Sequence, residues 1–200
     1  MTINYPQGVS HQANIKSRPT IFGDRGMTLE QEINESNIYY RNHQLAVIYK
    51  KPTPIQIVKV DYPKRSRAVI KEAYFRQAST TDYNGVYQGH YIDFEAKETR
   101  HTTSFPLSNF HDHQIKHLAQ CLKQQGICFV LIKFVTLGRY FILPASDLLL
   151  FWQQAQNGGQ KSMPLTFISH KSIEIQAGFN PILPYLSACK QLIAQQGGQS

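Results

Sequence analysis

Residues 91–97 read Tyr-Ile-Asp-Phe-Glu-Ala-Lys, the clearest strand pattern in the sequence. Its apolar and charged residues alternate, which predicts a β-strand with one buried face and one polar face. Glu95 and Lys97 share a face of that strand. The pairs Asn84-Gly85 and Gln88-Gly89 supply turn chemistry just before it, so we expect the strand to follow a neighbouring strand in a hairpin.

The pattern on either side of this strand predicts an α/β domain. Helical spacing of apolar residues predicts helices at 27–43, 111–125, 146–156 and 181–195, the third capped by Ser146. Alternation and turn signals predict strands at 45–51, 55–60, 68–75, 127–135 and 139–143. A mixed sheet flanked by helices accounts for this order, and we expect residues 27–200 to form a single domain.

Two segments of the chain are basic. Residues 1–26 carry cations that include Arg25 but show no sustained periodicity, which predicts a flexible basic arm. The turn at 61–67 joins two alternating strands and is crowded with cations, which predicts a projecting β-hairpin at 59–76. The hairpin cations are Lys59, Lys64, Arg65, Arg67, Lys71 and Arg76.

The overall charge and the cysteine content restrict the partner and the compartment. With 21 Lys and Arg against 13 Asp and Glu, the net charge of +8 favours a polyanionic partner such as nucleic acid. Three cysteines without a CxxC pair suggest neither a disulfide framework nor a thiolate zinc site. No apolar run approaches the ~20 residues of a membrane span. We therefore expect a cytoplasmic protein without a membrane partner.

The residues that carry chemistry are Asp82 and, after 12 intervening residues, Glu95-Ala96-Lys97. This is the D-x(n)-(D/E)-x-K pattern of metal-dependent nucleases. Two carboxylates on neighbouring strands can hold a hard cation such as Mg²⁺, and a lysine beside it can stabilise charge on a phosphoryl group. The pattern alone is loose, so three solvated residues on the outer face of a hairpin remain an alternative.

Other reaction classes lack their motifs in this sequence. There is no P-loop, no GxGxxG and no GxSxG, which excludes the usual carriers of nucleotide-driven and serine-hydrolase chemistry. His113 and His117 are four residues apart on a predicted helix, close to His111. We expect no zinc site there, because no Cys or Glu nearby completes a tetrahedral set.

Four blocks of the sequence resemble signature segments of the RecU family of Holliday junction resolvases: GMTLEQEIN at 26–34, FRQASTTDYNG at 75–85, YIDFEAKET at 91–99 and NFHDHQI at 109–115. The resemblance covers nearly the whole chain. It implies a restriction-endonuclease-like fold, a homodimer and symmetric nicking of four-way junction DNA in recombination and repair. The cofactor that it implies is Mg²⁺, with Mn²⁺ as an alternative ion.

The resemblance also assigns roles to individual residues. By motif, the metal site comprises Thr80, Asp82, Glu95 and Gln114, with Lys97 as the transition-state stabiliser. The residue pattern alone would not have selected Thr80 or Gln114. The family further implies that the basic hairpin is a protruding stalk that contacts DNA. An N-terminal region that includes Arg25 is implied to modulate the recombinase RecA.

Two other functions remain open at this stage. A nuclease of the same fold that cleaves ordinary duplex DNA would carry the same metal motif. A non-catalytic basic DNA-binding module would carry the acids as structural residues. Two roles are also possible for Glu30 and Glu32 in the first helix: they either contribute to the metal site or interact favourably with the helix dipole.

Overall fold

A six-stranded sheet lies at the centre of the protein, in a computed structural model that describes residues 27–64, 67–76 and 80–197. The described residues form ten strands, six of which belong to this sheet. The ten strands are β1 (Val47–Lys50), β2 (Ile55–Lys64), β3 (Arg67–Phe75), β4 (Tyr83–Tyr87), β5 (His90–Thr99), β6 (Ser104–Pro106), β7 (Ile127–Phe134), β8 (Arg139–Pro144), β9 (Ser162–Pro164) and β10 (Ile173–Ile175). The helices are α1 (Leu29–Asn42), α2 (Asp112–Lys123), α3 (Ala145–Gln156), α4 (Leu165–Lys171) and α5 (Leu186–Gly197). The arm predicted at 1–26 lies outside the described residues.

The central sheet is mixed but mostly antiparallel. Its strand order is β1-β4-β5-β7-β8-β10, and β5 and β7 form its parallel pair. A parallel pair needs a crossover connection, and α2 lies in this one. The prediction of a mixed sheet flanked by helices is therefore confirmed. Among the described residues, none of the helices combines the length and apolar character needed to cross a bilayer.

The two faces of the sheet are covered by different helices. One hydrophobic cluster joins α1 and α5 to the sheet and includes Ile92 and Phe94 of β5. The second cluster joins α2, α3 and α4 to the opposite face. All eight residues of β7 are buried, as expected for a strand covered on both faces. Each large apolar side chain buried in this way contributes about 1.5–3 kcal/mol to stability.

Helix α1 is fixed to the sheet by polar contacts as well as by its apolar face. Thr28 and Gln31 form a capping box at its start, and the Leu29 N–H donates to the Glu98 carboxylate over 3.0 Å. Glu32 is buried and pairs with Lys133 of β7 over 2.7 Å. These contacts place the first turn of α1 beside the end of the β4–β5 hairpin.

The turn predicted at Asn84-Gly85 is wrong, because both residues lie within β4. A Cβ atom at Gly85 would stand 2.0 Å from the carbonyl oxygen of Val47 in the adjacent strand. Glycine is therefore required here by the close approach of another backbone. The hairpin turn is Gln88-Gly89, in which both residues have positive φ, 50° and 81°.

Three helix and strand predictions also need correction. The last helix begins at Leu186, not at 181, because Pro181 and Pro184 disfavour helix at the residues before them. Helix α3 begins at Ala145 after Pro144, so Ser146 lies inside the helix and does not cap it. Strands β6, β9 and β10 and the short helix α4 were not predicted, since three to seven residues are too few to show periodicity.

Strands β2 and β3 form a separate two-stranded sheet. The first strand begins at Ile55, as predicted, but it continues to Lys64, so the hairpin is longer than the stalk predicted at 59–76. Apolar side chains on both strands, among them Ile57, Tyr62 and Phe75, are exposed. Within the described part of the chain, the hairpin thus forms its own unit outside the hydrophobic clusters of the central sheet.

Candidate active site

Asp82 and Glu95 meet at one end of the β4–β5 hairpin. Asp82 directly precedes β4, and the pairing of Tyr83 with Phe94 brings it beside Glu95. The Asp82 N–H donates to the Glu95 carboxylate over 3.1 Å, and the Ala96 N–H donates to the Asp82 carboxylate over 3.3 Å. Two acids 13 positions apart in the sequence are therefore locked together by strand register.

Lys97 lies next to these acids on the same face of β5. Its ammonium is 2.8 Å from a carboxylate oxygen of Glu95 and 6.0 Å from the centre of the Phe110 ring. The Lys97 side chain is largely buried, while the Glu95 carboxylate is wholly buried. The structure thus brings Asp82, Glu95 and Lys97 together; the alternation along 91–97 predicts the shared face of Glu95 and Lys97, and the nuclease motif adds Asp82.

The charge balance of this group favours a cation. Burial and the nearby Asp82 carboxylate raise the pKa of Glu95 to about 8, although Lys97 acts in the opposite direction. One ammonium therefore does not offset two crowded carboxylates. Their oxygen atoms are the hard donors that Mg²⁺ prefers, so the residues present fit a magnesium ion.

Gln114 and Thr80, the other two metal ligands implied by the resemblance, differ in placement. Gln114 is buried in the first turn of α2, where its amide nitrogen donates to Glu95 over 2.5 Å and its amide oxygen accepts from the His111 N–H over 3.0 Å. If the Gln114 amide were rotated, its oxygen would face the two acids and could bind a cation that they hold. The Thr80 hydroxyl donates to the Thr81 carbonyl over 3.3 Å, on the segment that leads to Asp82.

His111 and His113 lie at the edge of this group. Their rings stack with centroids 5.5 Å apart, close to Lys97. Burial, followed by the charges of His111 and Lys97, lowers the pKa of His113. His117 contacts a different acid, because its Nε2 lies 3.1 Å from the Asp93 carboxylate.

Asp93 forms a second polar cluster beside the first. Its carboxylate is wholly buried, and it pairs with the Lys51 ammonium over 2.8 Å. Burial raises the pKa of Asp93, but hydrogen bonds from Lys51 and its other neighbours outweigh burial and lower it below its usual range. Ligand atoms of Asp93, His117 and Cys121 lie within 4.8 Å of one another.

Cys121 corrects the expectation that no cysteine stands near these histidines. It lies four residues after His117 on α2, with its sulfur 3.5 Å from His117 Nε2. The spacing of four on a predicted helix could have revealed the pair. Asp93 carried no such signal, because its place beside α2 depends on how the helix packs on the sheet.

The two glutamates of α1 have different surroundings. Glu30 pairs with Lys50 over 2.5 Å and lines a hollow of about 260 Å³ that Asp82 and Glu98 also line. Glu32 lies instead in the buried pair with Lys133. Of the two, Glu30 is the one near Asp82.

The hairpin cations that the structure describes are exposed. Lys71 lies 3.7 Å from Asp61, and the Arg76 guanidinium donates to Gln56 over 3.1 Å. Lys59 is also exposed on β2. The remaining predicted DNA contacts lie outside the described residues or have side chains that are not described: Arg25, Lys64, Arg65 and Arg67.

Comparison with known proteins places this site in a family. The family model described as "Recombination protein U" matches residues 24–191. A protein of Lactiplantibacillus plantarum is 60% identical over 200 residues, covering 96% of this chain and 97% of its own. A protein of Lactobacillus delbrueckii subsp. bulgaricus is 68% identical over 175 residues, covering 88% of this chain and 83% of its own.

A third relative, from Latilactobacillus sakei subsp. sakei, is 58% identical over 205 residues and covers 98% of both chains. All three relatives are named "Holliday junction resolvase RecU". The family model spans most of the chain and includes every residue of the Asp82, Glu95 and Lys97 group. The chain therefore belongs to the RecU family.

Proposed function

We propose that this protein is a crossover junction endodeoxyribonuclease that resolves Holliday junctions by paired, symmetric, Mg²⁺-dependent nicks. One observation carries the proposal. Asp82, Glu95 and Lys97 converge at the end of the β4–β5 hairpin, in a chain whose relatives are named Holliday junction resolvases. Its role is then in DNA recombination and repair, in the cytoplasm.

Asp82 and Glu95 would hold the magnesium ion, with Gln114 and Thr80 completing its oxygen ligands. Mn²⁺ is an alternative ion of similar ligand preference. When bound, the ion offsets charge on the phosphate and orients the attacking water. The raised pKa of Glu95 supports this assignment, because metal binding relieves the repulsion between the two acids.

Lys97 has a separate role in this mechanism. Its ammonium stands 2.8 Å from Glu95, at the edge of the carboxylate pair. We assign to it the stabilisation of negative charge that develops on the phosphoryl oxygens. Because Lys97 is largely removed from water, this charge acts through a lower dielectric than at an open surface.

The recognition of junctions belongs to larger features of the molecule. We propose a restriction-endonuclease-like fold for residues 27–200, with the β2–β3 hairpin as a basic stalk that contacts DNA. A homodimer would present two active sites to two equivalent strands of a junction. The arm at 1–26, including Arg25, is proposed to contact DNA and the recombinase RecA.

The test compares a mobile four-way junction with a linear duplex of the same sequence. Each strand is end-labelled in turn, and cleavage is followed with Mg²⁺, with Mn²⁺ and with EDTA. We expect paired nicks at symmetric positions on the junction, dependent on the divalent ion, and far less cleavage of the duplex. Equal cleavage of both substrates would indicate a duplex nuclease. Junction binding without cleavage in any metal would indicate a non-catalytic module.

A further inference from the structure

Asp93 is a buried carboxylate that the proposed metal site does not use. It lies on the same face of β5 as Glu95, two residues earlier. The Asp93 carboxylate accepts hydrogen bonds from the Lys51 ammonium over 2.8 Å, from the Tyr91 hydroxyl over 2.7 Å and from the Thr81 hydroxyl. A buried charge is costly unless it is paired, and one with this many donors has a single well-defined position.

Lys51 connects Asp93 to the segment that precedes β4 at two points. Its ammonium donates to the Thr81 hydroxyl over 2.9 Å, and its backbone N–H donates to the Asp82 carbonyl over 2.7 Å. Thr81 is only 2% exposed, and it stands between Thr80 and Asp82, two of the proposed metal ligands. The position of both ligands therefore depends on contacts of the intervening residue.

We propose that Lys51, Thr81 and Asp93, here called the Asp93 network, are positioning residues that hold Asp82 beside Glu95 in the geometry that binds the metal. This inference rests on the proposed function of the same site. The network acts indirectly, because its contacts reach the segment around Asp82 and not the carboxylate of Glu95. A displacement of about 1 Å at a reacting group can lower activity on the order of 10²-fold.

A transition metal held by Asp93, His117 and Cys121 is the main competing explanation. The three ligand atoms are close enough together for one ion. However, the Lys51 ammonium is 2.8 Å from Asp93 and 3.5 Å from His117 Nε2, so a cation already balances this carboxylate. A metal there would face the ammonium at close range, which favours the network without a metal.

The central test compares Thr81→Val with Thr81→Ser. Valine has nearly the same shape as threonine but lacks the hydroxyl, whereas serine keeps it. We expect Thr81→Val to weaken Mn²⁺ binding to the DNA-free protein at least about tenfold and to lower the cleavage rate on the order of 10²-fold. Thr81→Ser should restore both. Junction binding in EDTA should stay at the parent level for both variants.

A lysine pair supplies a second test with a matched control. Lys51→Met removes the ammonium that joins Thr81 to Asp93, while Lys171→Met removes an ion pair with Asp147 on α3. We expect weaker Mn²⁺ binding and slower cleavage in Lys51→Met only. If Thr81→Val fails to fold, as seen by circular dichroism, the comparison of the two lysine variants decides the question.

Two results would overturn the positioning role. One is a folded Thr81→Val or Lys51→Met variant that binds Mn²⁺ and cleaves junctions like the parent. The other is a cobalt–thiolate charge-transfer band in Co²⁺-loaded parent that disappears in Cys121→Ala, because a metal would then be the partner of Asp93. Failure of the proposed function is distinct, since the Mn²⁺ measurement on DNA-free protein does not depend on junction cleavage by the parent.

Discussion

At the scale of single residues, the site is defined by a buried carboxylate, Glu95, with the Asp82 carboxylate beside it. Asp82 and Glu95 share backbone and side-chain contacts, and burial adds to their mutual repulsion. We therefore expect a cation to bind between these two carboxylates, because it would reduce the electrostatic repulsion between them. Such perturbed acids are common at functional sites.

The first prediction concerns the two acids. Asp82→Asn and Glu95→Gln should each abolish junction cleavage and leave junction binding largely intact, because each removes an anionic metal ligand and no phosphate-binding cation. Cleavage is measured on end-labelled junctions, and binding by gel shift in EDTA. Asp147→Asn, which loses an ion pair with Lys171, is the matched control and should cleave like the parent. Near-normal cleavage by either active-site variant would refute the site.

The second prediction concerns Lys97. Lys97→Ala should slow single-turnover cleavage by about 10²–10³-fold, the scale expected for loss of one preorganised charge-stabilising group. The affinity for junction DNA should change little, and circular dichroism should show that the variant remains folded. A decrease of less than about tenfold would reduce Lys97 to a packing role.

The third prediction uses the pKa of Glu95. The folded pKa of about 8 lies above the ordinary glutamate value of 4.5, so the folded state favours the protonated acid. Metal-free protein should therefore lose stability as pH rises from about 4.5 to 8, through the window between the two values. Glu95→Gln stays neutral and should escape this loss.

Thermal midpoints of parent and Glu95→Gln in EDTA at pH 5 and pH 8 test the third prediction. The variant should gain on the parent as pH rises, and each 1 kcal/mol of difference corresponds to about 2–4 °C in a domain of this size. Saturating Mg²⁺ should stabilise the parent at pH 8 and reduce the difference in thermal midpoint between parent and Glu95→Gln. A midpoint difference that does not change with pH would contradict the raised pKa.

At the scale of elements, helix α2 connects the two polar clusters of the site. Gln114 contacts Glu95, and His117, three residues later, contacts Asp93. The three residues from Gln114 to His117 advance about 4.5 Å along the helix, whereas the two residues between Asp93 and Glu95 span about 6.7 Å along the strand. The long side chains compensate for the difference between these two spacings. Helix α2 thus supplies one side chain to each of the two clusters on β5.

The β2–β3 hairpin carries the fourth prediction. Replacing 62–67 with an Asn-Gly turn should weaken junction binding and reduce its salt dependence together, because each lost phosphate contact lowers both. Asp82, Glu95 and Lys97 belong to another sheet and should keep their places. Binding is measured across a salt titration. If the shortened protein bound and resolved junctions like the parent, junction selectivity would lie in the active-site cleft.

At the scale of the whole molecule, the fifth prediction concerns paired nicks. Dimers that combine one parent subunit with one Asp82→Asn subunit should nick one strand and accumulate a nicked junction, because in the proposed homodimer each subunit would serve one strand. Differently tagged subunits allow such dimers to be purified, and dimers of two tagged parent subunits are the control. Paired nicks by the mixed dimers at the parent rate would contradict one site per strand.

Most of the local elements could be predicted from the sequence, which also predicts a metal-dependent nuclease site. Alternation along 91–97 placed Glu95 and Lys97 on one face of a strand, and the structure confirms their contact. The bounds of the helices and strands with clear periodicity were predicted to within about five residues, and the start of the last helix differs most. Periodicity reports which face of an element is buried, and that is a property of neighbours along the chain.

Only the tertiary structure decided which distant residues meet. The close approach of β1 turned Gly85 from a predicted turn residue into a strand residue, and the packing of α2 joined Cys121 to Asp93. Lys51 offered no signal in the sequence, since its role depends on contacts with residues 30 and 42 positions away. Strand register and helix packing arise from burial of the whole core, and no single segment of the sequence contains that information.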